Sequence, residues 1–209
     1  MLFRSQAAPG RPLSVIARQP VFIAAAICGV IAHVLMNLVM TSAPLAMRLC
    51  GLTLSDSNLA IQWHVVAMYG PSFFTGGLIA RFGAPKVVAA GLAFTALAAL
   101  TDLSGLTQWH FWTGLVLLGI GWNFGFIGAS AMVVLSHRPE ERNRVQSFND
   151  FLVFGMTAFG SLMSGQILAN FGWSWVNLVT FPPLLISLVA LSAAAVLGAR
   201  TRPPAAQRG

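Results

Sequence analysis

Charge is what this chain of 209 residues has least of: 8% of it is Asp, Glu, Lys or Arg, against about 25% in a soluble domain. So few charges cannot cover a water-facing surface, and a bilayer is the solvent that removes the need. Acidic residues are the scarcest, five against twelve basic ones, and no paired-carboxylate arrangement appears among them. Cysteine occurs twice, at Cys28 and Cys50. On nearly one helix these lie roughly 30 Å apart, too far for a disulfide. The histidines His33, His64, His110 and His137 are scattered over different segments, so no metal-ligand spacing exists and no metal is expected. Serine-nucleophile and phosphate-loop motifs are absent too. An enzyme is therefore not expected, nor a cofactor.

What the sequence does have is long apolar runs. Hydrophobic residues make up 56% and the mean hydropathy is +0.76. A helix needs about 20 such residues to cross the hydrocarbon core. Six stretches qualify: Pro20 to Met47, Ser57 to Ala80, Lys86 to Leu103, Trp109 to Leu135, Val145 to Asn170 and Ser174 to Leu197. Turn or charge signals separate them. The expected fold is all-α: a polytopic membrane protein with a six-helix domain over residues 20–198, a basic arm over 1–19 and a short tail over 199–209.

The net charge of +7 raises nucleic acid as a partner, but that needs a continuous basic patch. Here the basic residues fall in short clusters between apolar runs, which is how topology is written. With the N-terminus inside, the inner segments hold Arg4, Arg11, Arg18, Arg81, Lys86, Arg138, Arg142, Arg144, Arg200, Arg202 and Arg208, and the outer ones only Arg48. Both termini are thus expected in the cytoplasm, and nucleic acid is not expected as a partner. Trp63, Trp109, Trp112, Trp173 and Trp175 fall near the outer helix ends and read as an aromatic belt. The arm is too polar for a signal-peptide core. Its Arg-rich, acid-free character is shared with mitochondrial presequences, and a cytoplasmic arm is the reading adopted.

An internal repeat is the most informative pattern. Gly70-Pro-Ser-Phe-Phe-Thr-Gly-Gly-Leu-Ile-Ala-Arg-Phe-Gly83 ends the second run, and Phe159-Gly-Ser-Leu-Met-Ser-Gly-Gln-Ile-Leu-Ala-Asn-Phe-Gly172 ends the fifth. Ser72 aligns with Ser161, Gly76 with Gly165, Ala80 with Ala169, and Phe82-Gly83 with Phe171-Gly172. The second helix runs inward and the fifth outward, so the pattern predicts two inverted three-helix repeats, about 20–103 and 109–198. Such units build secondary transporters.

The segment Gly76-Gly-Leu-Ile-Ala-Arg-Phe-Gly-Ala-Pro-Lys86 resembles the signature loop of the major facilitator superfamily. It keeps Gly76, Arg81, Gly83 and Lys86, with Ala80 where an acidic residue would stand and Pro85 where a basic one is common. This degenerate form resembles the second copy of the loop, between the family's eighth and ninth helices. Arg11 to Gln19 likewise resembles the linker joining the two six-helix halves. Ile61 to Gly76, Gly119 to Gly128 and Phe148 to Gly155 are similar to stretches of bacterial members without an assigned function. The resemblance implies the C-terminal half of a transporter in a bacterial inner membrane. It would move an unidentified small solute by alternating access against a second six-helix bundle, either an N-terminal half or another copy. A truncated, non-transporting protein or an oligomerising scaffold is the alternative.

Polar residues inside a membrane are costly and point to function. His33 and Asn37 share a face of the first helix, where they line a cavity or bond a neighbouring helix. Trp122 and Asn123 lie near mid-depth in the fourth. Gln62 and His64 lie in the outer third of the second, suited to gating or to interface solvation. In the family's pattern Arg81 and Lys86 latch the cytoplasmic face; the simpler reading makes them topogenic charges only. Asp150, beside Asn149, opens the fifth helix, where it favours the helix dipole, pairs with Arg142 or Arg144, or faces a latch loop of the other half. Gly114, Gly119, Gly121, Gly125 and Gly128 mark the fourth helix for close packing.

Overall fold

The computed structural model describes residues 10–200, with side chains to 198. Arg4, Arg202, Arg208 and the side chain of Arg200 lie outside the described residues. The elements are all helical: α1 Leu13–Ala17, α2 Pro20–Leu49, α3 Leu54–Tyr69, α4 Ser72–Phe82, α5 Ala84–Ser104, α6 Gln108–Leu135, a 3-10 turn Pro139–Glu141, α7 Arg142–Phe171, α8 Trp173–Leu178 and α9 Phe181–Arg200. Five stretches are long and apolar enough to cross a membrane: α2, α5, α6, α7 with its preceding turn, and α8 with α9.

The predicted second span is not one continuous helix. It divides at Gly70-Pro71 into α3 and α4, neither of which crosses a membrane alone by length. Pro71 has no N–H to continue the α3 ladder and its ring crowds the preceding turn. The predicted sixth span is also divided, at Val179-Thr180. There Pro182 and Pro183 occupy the first turn of α9, where their missing N–H groups have no helical acceptor to serve.

The ends of the elements follow from local chemistry. Thr53 and Asp56 form a capping box at α3: Asp56 N–H donates to Thr53 Oγ1 at 3.1 Å, and Thr53 N–H to Asp56 Oδ2 at 3.0 Å. The two Phe-Gly ends share one backbone geometry. Gly83 and Gly172 have φ of +86° and +80°, a region that side chains disfavour. Each closes its helix with a single residue before the next begins.

α2 and α6 lie at the centre. α2 packs on α6, α7 and α9, and α6 packs on α5 and α3. The α5–α6 seam is made by glycine. A Cβ on Gly91 would stand 2.3 Å from the Gly125 nitrogen, and one on Gly121 would stand 2.5 Å from Thr95 Oγ1. The glycines of the fourth predicted helix thus do pack closely, and backbone approach replaces side-chain filling. One core layer, with Ile16, Phe22, Cys28, Val88, Val133 and Val145, lies toward the basic end of the bundle. The other, with Met36, Met47, Phe111, Leu115, Leu118 and Trp173, lies toward the tryptophan end. Trp173 belongs to that core, its ring 5.2 Å from Phe111, and not to the predicted belt; Trp63, Trp109 and Trp175 are exposed. The outer face of α9 shows Leu185, Ile186 and Val189, as lipid contact requires.

At the basic end the arm is docked. Glu141 is 1% exposed, and its carboxylate accepts four hydrogen bonds, from Arg11 N, Nε and Nη2 and from Arg138 N, at 2.7–2.9 Å. Arg144 donates to the Arg11 carbonyl, and Ile16 of α1 is fully buried. Glu141→Ala removes the anion that holds this strap. Trypsin cleavage after Arg18 in membranes opened on that face is expected to accelerate about tenfold or more; an unchanged rate contradicts the strap.

Candidate functional site

α3–α4 and α7 flank the central pair without meeting across it. Between them the surface of α2 carries the half-buried His33 and Asn37 and the exposed Thr41. His33 is half-buried and sits among aromatic rings. Its Nδ1 accepts a hydrogen bond from Trp122 Nε1 at 3.1 Å, which leaves Nε2 to carry the ring proton. Its ring lies 5.1 Å from Phe126 and 5.6 Å from Phe154, edge-on to the latter. Trp122 stacks on Phe126 at 5.2 Å with 13° between the planes. Tyr69 approaches Trp122 edge-on at 5.8 Å.

Four helices contribute, and the exposures grade outward. Trp122 is 7% exposed, whereas Tyr69 and Phe154 are 58% and 59% exposed. Trp122 and Phe126 thus form a floor, with Tyr69 on one side and Phe154 on the other. An aromatic surface of this form stacks planar rings, and His33 adds a hydrogen-bonding edge. One turn along α2 from His33 stands Asn37, whose Oδ1 is buried without a hydrogen-bond partner.

The other predicted residues do different work. Asn123 is fully buried. Its Nδ2 donates to Met68 O at 2.6 Å and Ser72 Oγ at 2.7 Å, and its Oδ1 accepts from Thr75 Oγ1 at 2.6 Å. It fastens α6 across the α3–α4 break. His64 is fully buried against α6, with Nδ1–H donating to Leu115 O at 2.7 Å. Gln62 is exposed, two turns from Tyr69 on the same side of α3. Gly76, Arg81, Gly83 and Lys86 lie on α4, the α4–α5 turn and the start of α5, at the basic end and away from the aromatic floor. Arg81 lies over the Phe82 ring at 5.2 Å, and Lys86 is exposed. Among the described residues Asp150 makes no ion pair: Arg11–Glu141 is the one salt bridge.

Tyr69, Phe126 and Phe154 escaped sequence reasoning because a ring packed beside His33 and a ring facing lipid look alike in a sequence. Asp102 escaped it as well. It ends a run otherwise poor in polar residues, yet it is 2% exposed and its carboxyl has no partner. It packs on Gly114, where an added Cβ would meet Oδ1 at 2.1 Å. A cavity of about 620 Å³ between α5 and α9 is lined by Leu92, Ala96, Phe181, Pro182, Leu185 and Leu188. It offers a solute no polar group and suits an acyl chain.

A bundle with this lipid-facing surface and buried polar seam is a multi-pass membrane protein. It belongs to the major facilitator superfamily, whose profile matches residues 9–209. Among its relatives, the riboflavin transporter RfnT of Brucella anthropi is 49% identical over 182 residues, which is 87% of this chain and 46% of that protein. Two uncharacterized MFS-type transporters of Bacillus subtilis (strain 168) are more distant. YddS is 34% identical over 161 residues, 73% of this chain and 36% of its own length. YdeG is 32% identical over 152 residues, 72% of this chain and 35% of its own length. The chain thus spans less than half the length of each.

Asn123→Ala leaves the Met68 carbonyl and the Ser72 hydroxyl without the donor they share, a loss of about 1–3 kcal/mol. A lower thermal midpoint in detergent is expected. An unchanged midpoint with weakened solute binding would instead put Asn123 on the solute face.

Proposed function

We propose that this chain is one half of a major facilitator transporter whose solute is a planar heteroaromatic compound, with riboflavin the leading identity. The carrying observation is the aromatic floor of Trp122 and Phe126 between Tyr69 and Phe154, with the His33 edge beside it. A flavin ring is flat, apolar on its faces and polar at its rim, and this arrangement meets both parts. The name of the Brucella anthropi relative, 49% identical over 182 residues, points the same way.

The remaining architecture fits the proposal. α3 with α4, and α8 with α9, act as single broken spans, giving six in two inverted units over about 20–103 and 109–198. The matching Phe-Gly turns at Gly83 and Gly172 support the repeat. The basic end lies in the cytoplasm of a bacterial inner membrane, with Arg81 and Lys86 in the latch loop. A second bundle, an N-terminal half or another copy of this chain, closes the face that carries His33. Its seats are the glycines of the flanking helices. A Cβ added at Gly76, Gly77, Gly155 or Gly165 would meet nothing within 4 Å, whereas those of the α5–α6 seam are filled from within.

Riboflavin fluorescence reports binding directly. Saturable quenching by the protein in nanodiscs is expected, with Trp122→Ala weakening affinity about tenfold or more through loss of the stacking floor. No saturable quenching by the protein before substitution rejects the flavin reading.

A further inference from the structure

The polar face of α2 continues beyond His33. Asn37 and Thr41 follow at single-turn intervals, about 6 Å and 12 Å further along the axis toward the tryptophan end. There α7 contributes Ser164, which is 2% exposed. Thr41 Oγ1 donates to the Asn37 carbonyl at 2.8 Å and lies 2.8 Å from Ser164 Oγ. Ser42 Oγ lies 2.6 Å from the same Ser164 oxygen, which donates to the Leu38 carbonyl at 3.1 Å.

Counting hydrogens shows what is left over. Each hydroxyl has one proton to give and two lone pairs to offer. Ser42 spends its proton on Ser164, Ser164 on Thr41 or on the Leu38 carbonyl, and Thr41 on the Asn37 carbonyl when Ser164 donates to it. Thr41, an exposed residue, retains lone-pair capacity. Asn37 Oδ1 lacks any donor. The stripe therefore carries an exposed hydroxyl and an amide whose oxygen has no donor, groups that can both give and take hydrogen bonds, and it adjoins a wall of rings. Cations are missing from it: the basic residue nearest Thr41 on α2 is Arg48, two turns on, and Ser164 has none on its stretch of α7. An anionic group would find no counter-charge here. A chain of neutral hydroxyls supplies the missing donor.

We propose that Asn37 and Thr41, with Thr41 set in place by Ser164, form a polyol subsite. It takes the hydroxylated chain of a solute whose flat ring lies on Trp122 and Phe126. This rests on the transport reading above and adds the orientation of the solute: ring at the level of His33, hydroxyl chain toward the tryptophan end. The bland role of the cluster, a hydroxyl clamp between α2 and α7, accounts for Ser42 and Ser164 but not for the unfilled acceptor at Asn37. A buried amide oxygen without a donor is destabilising.

The test compares riboflavin with lumiflavin, which keeps the ring and has a methyl group in place of the ribityl chain. Binding of both is measured for the protein in nanodiscs and for Thr41→Val and Asn37→Ala. The protein is expected to bind riboflavin more tightly. Each substitution is expected to weaken riboflavin about three- to tenfold, the worth of one or two neutral hydrogen bonds, and to leave lumiflavin unchanged. Retained lumiflavin binding also shows that the variants fold. Equal binding of the two ligands before substitution, equal weakening of both by the variants, or no change in either overturns the polyol subsite and leaves the ring site standing. Failure of the unsubstituted protein to bind either ligand overturns the flavin reading together with the subsite.

Discussion

The backbone contact between α5 and α6 is the constraint on which the rest depends. Gly91 and Gly125 bring the two helices so close that one added methyl group would overlap a main-chain atom. Apolar side chains gain little by leaving lipid for a helix interface, so close packing and polar contacts must hold the bundle together. With α5 drawn tight, α6 is fixed against α2, and Gly125 in turn stands 3.2 Å from Ala32 by its added Cβ. Two sides of α6 are thus committed to packing. Trp122, between Gly121 and Asn123, is left to meet His33.

The polar residues divide by whether their hydrogen bonds are complete. Asn123 is complete and spends its whole amide on the α3–α4 break. His64 donates to α6 from the middle of α3. Glu141 is complete through the arm and the turn that bears it. Asn37 is incomplete, and it alone of these stands beside the aromatic floor. Buried polar groups are paired as a rule, and in the proposed reading the solute completes Asn37. The same test picks out His64 Nε2, Asp102, His137, Asn149, Trp173, Asn177 and Ser187, and none of these makes a ring contact with the aromatic floor.

Five of the six expected spans were legible because they rest on length and hydropathy, which single residues carry. The Phe-Gly ends were legible because both glycines adopt a backbone that other residues avoid. Less legible was the division of the second span. Gly70-Pro71 is visible in the sequence, but a proline within a span permits either a kink or a continuous helix, and the Asn123 bonds that fasten this break come from 50 residues away along the chain. Trp173 read as a belt residue because depth along a helix does not say which side a ring faces. The candidate site was half legible. His33, Asn37 and Trp122 came from polarity at depth, whereas Tyr69, Phe126 and Phe154 depend on which faces α3, α6 and α7 leave open. Glu141 was missed because its partner, Arg11, lies at the other end of the chain.

The central claim is that the face between Tyr69 and Phe154 holds solute while the outer face of α9 meets lipid. Single cysteines at Phe154 and at Ile186, placed in a background with Cys28→Ala and Cys50→Ser, separate the two by reaction with a water-soluble thiol reagent in membranes. The account predicts that Phe154→Cys reacts and is protected by riboflavin, and that Ile186→Cys is inert. A Phe154→Cys as unreactive as Ile186→Cys, or one that riboflavin does not protect, would contradict it.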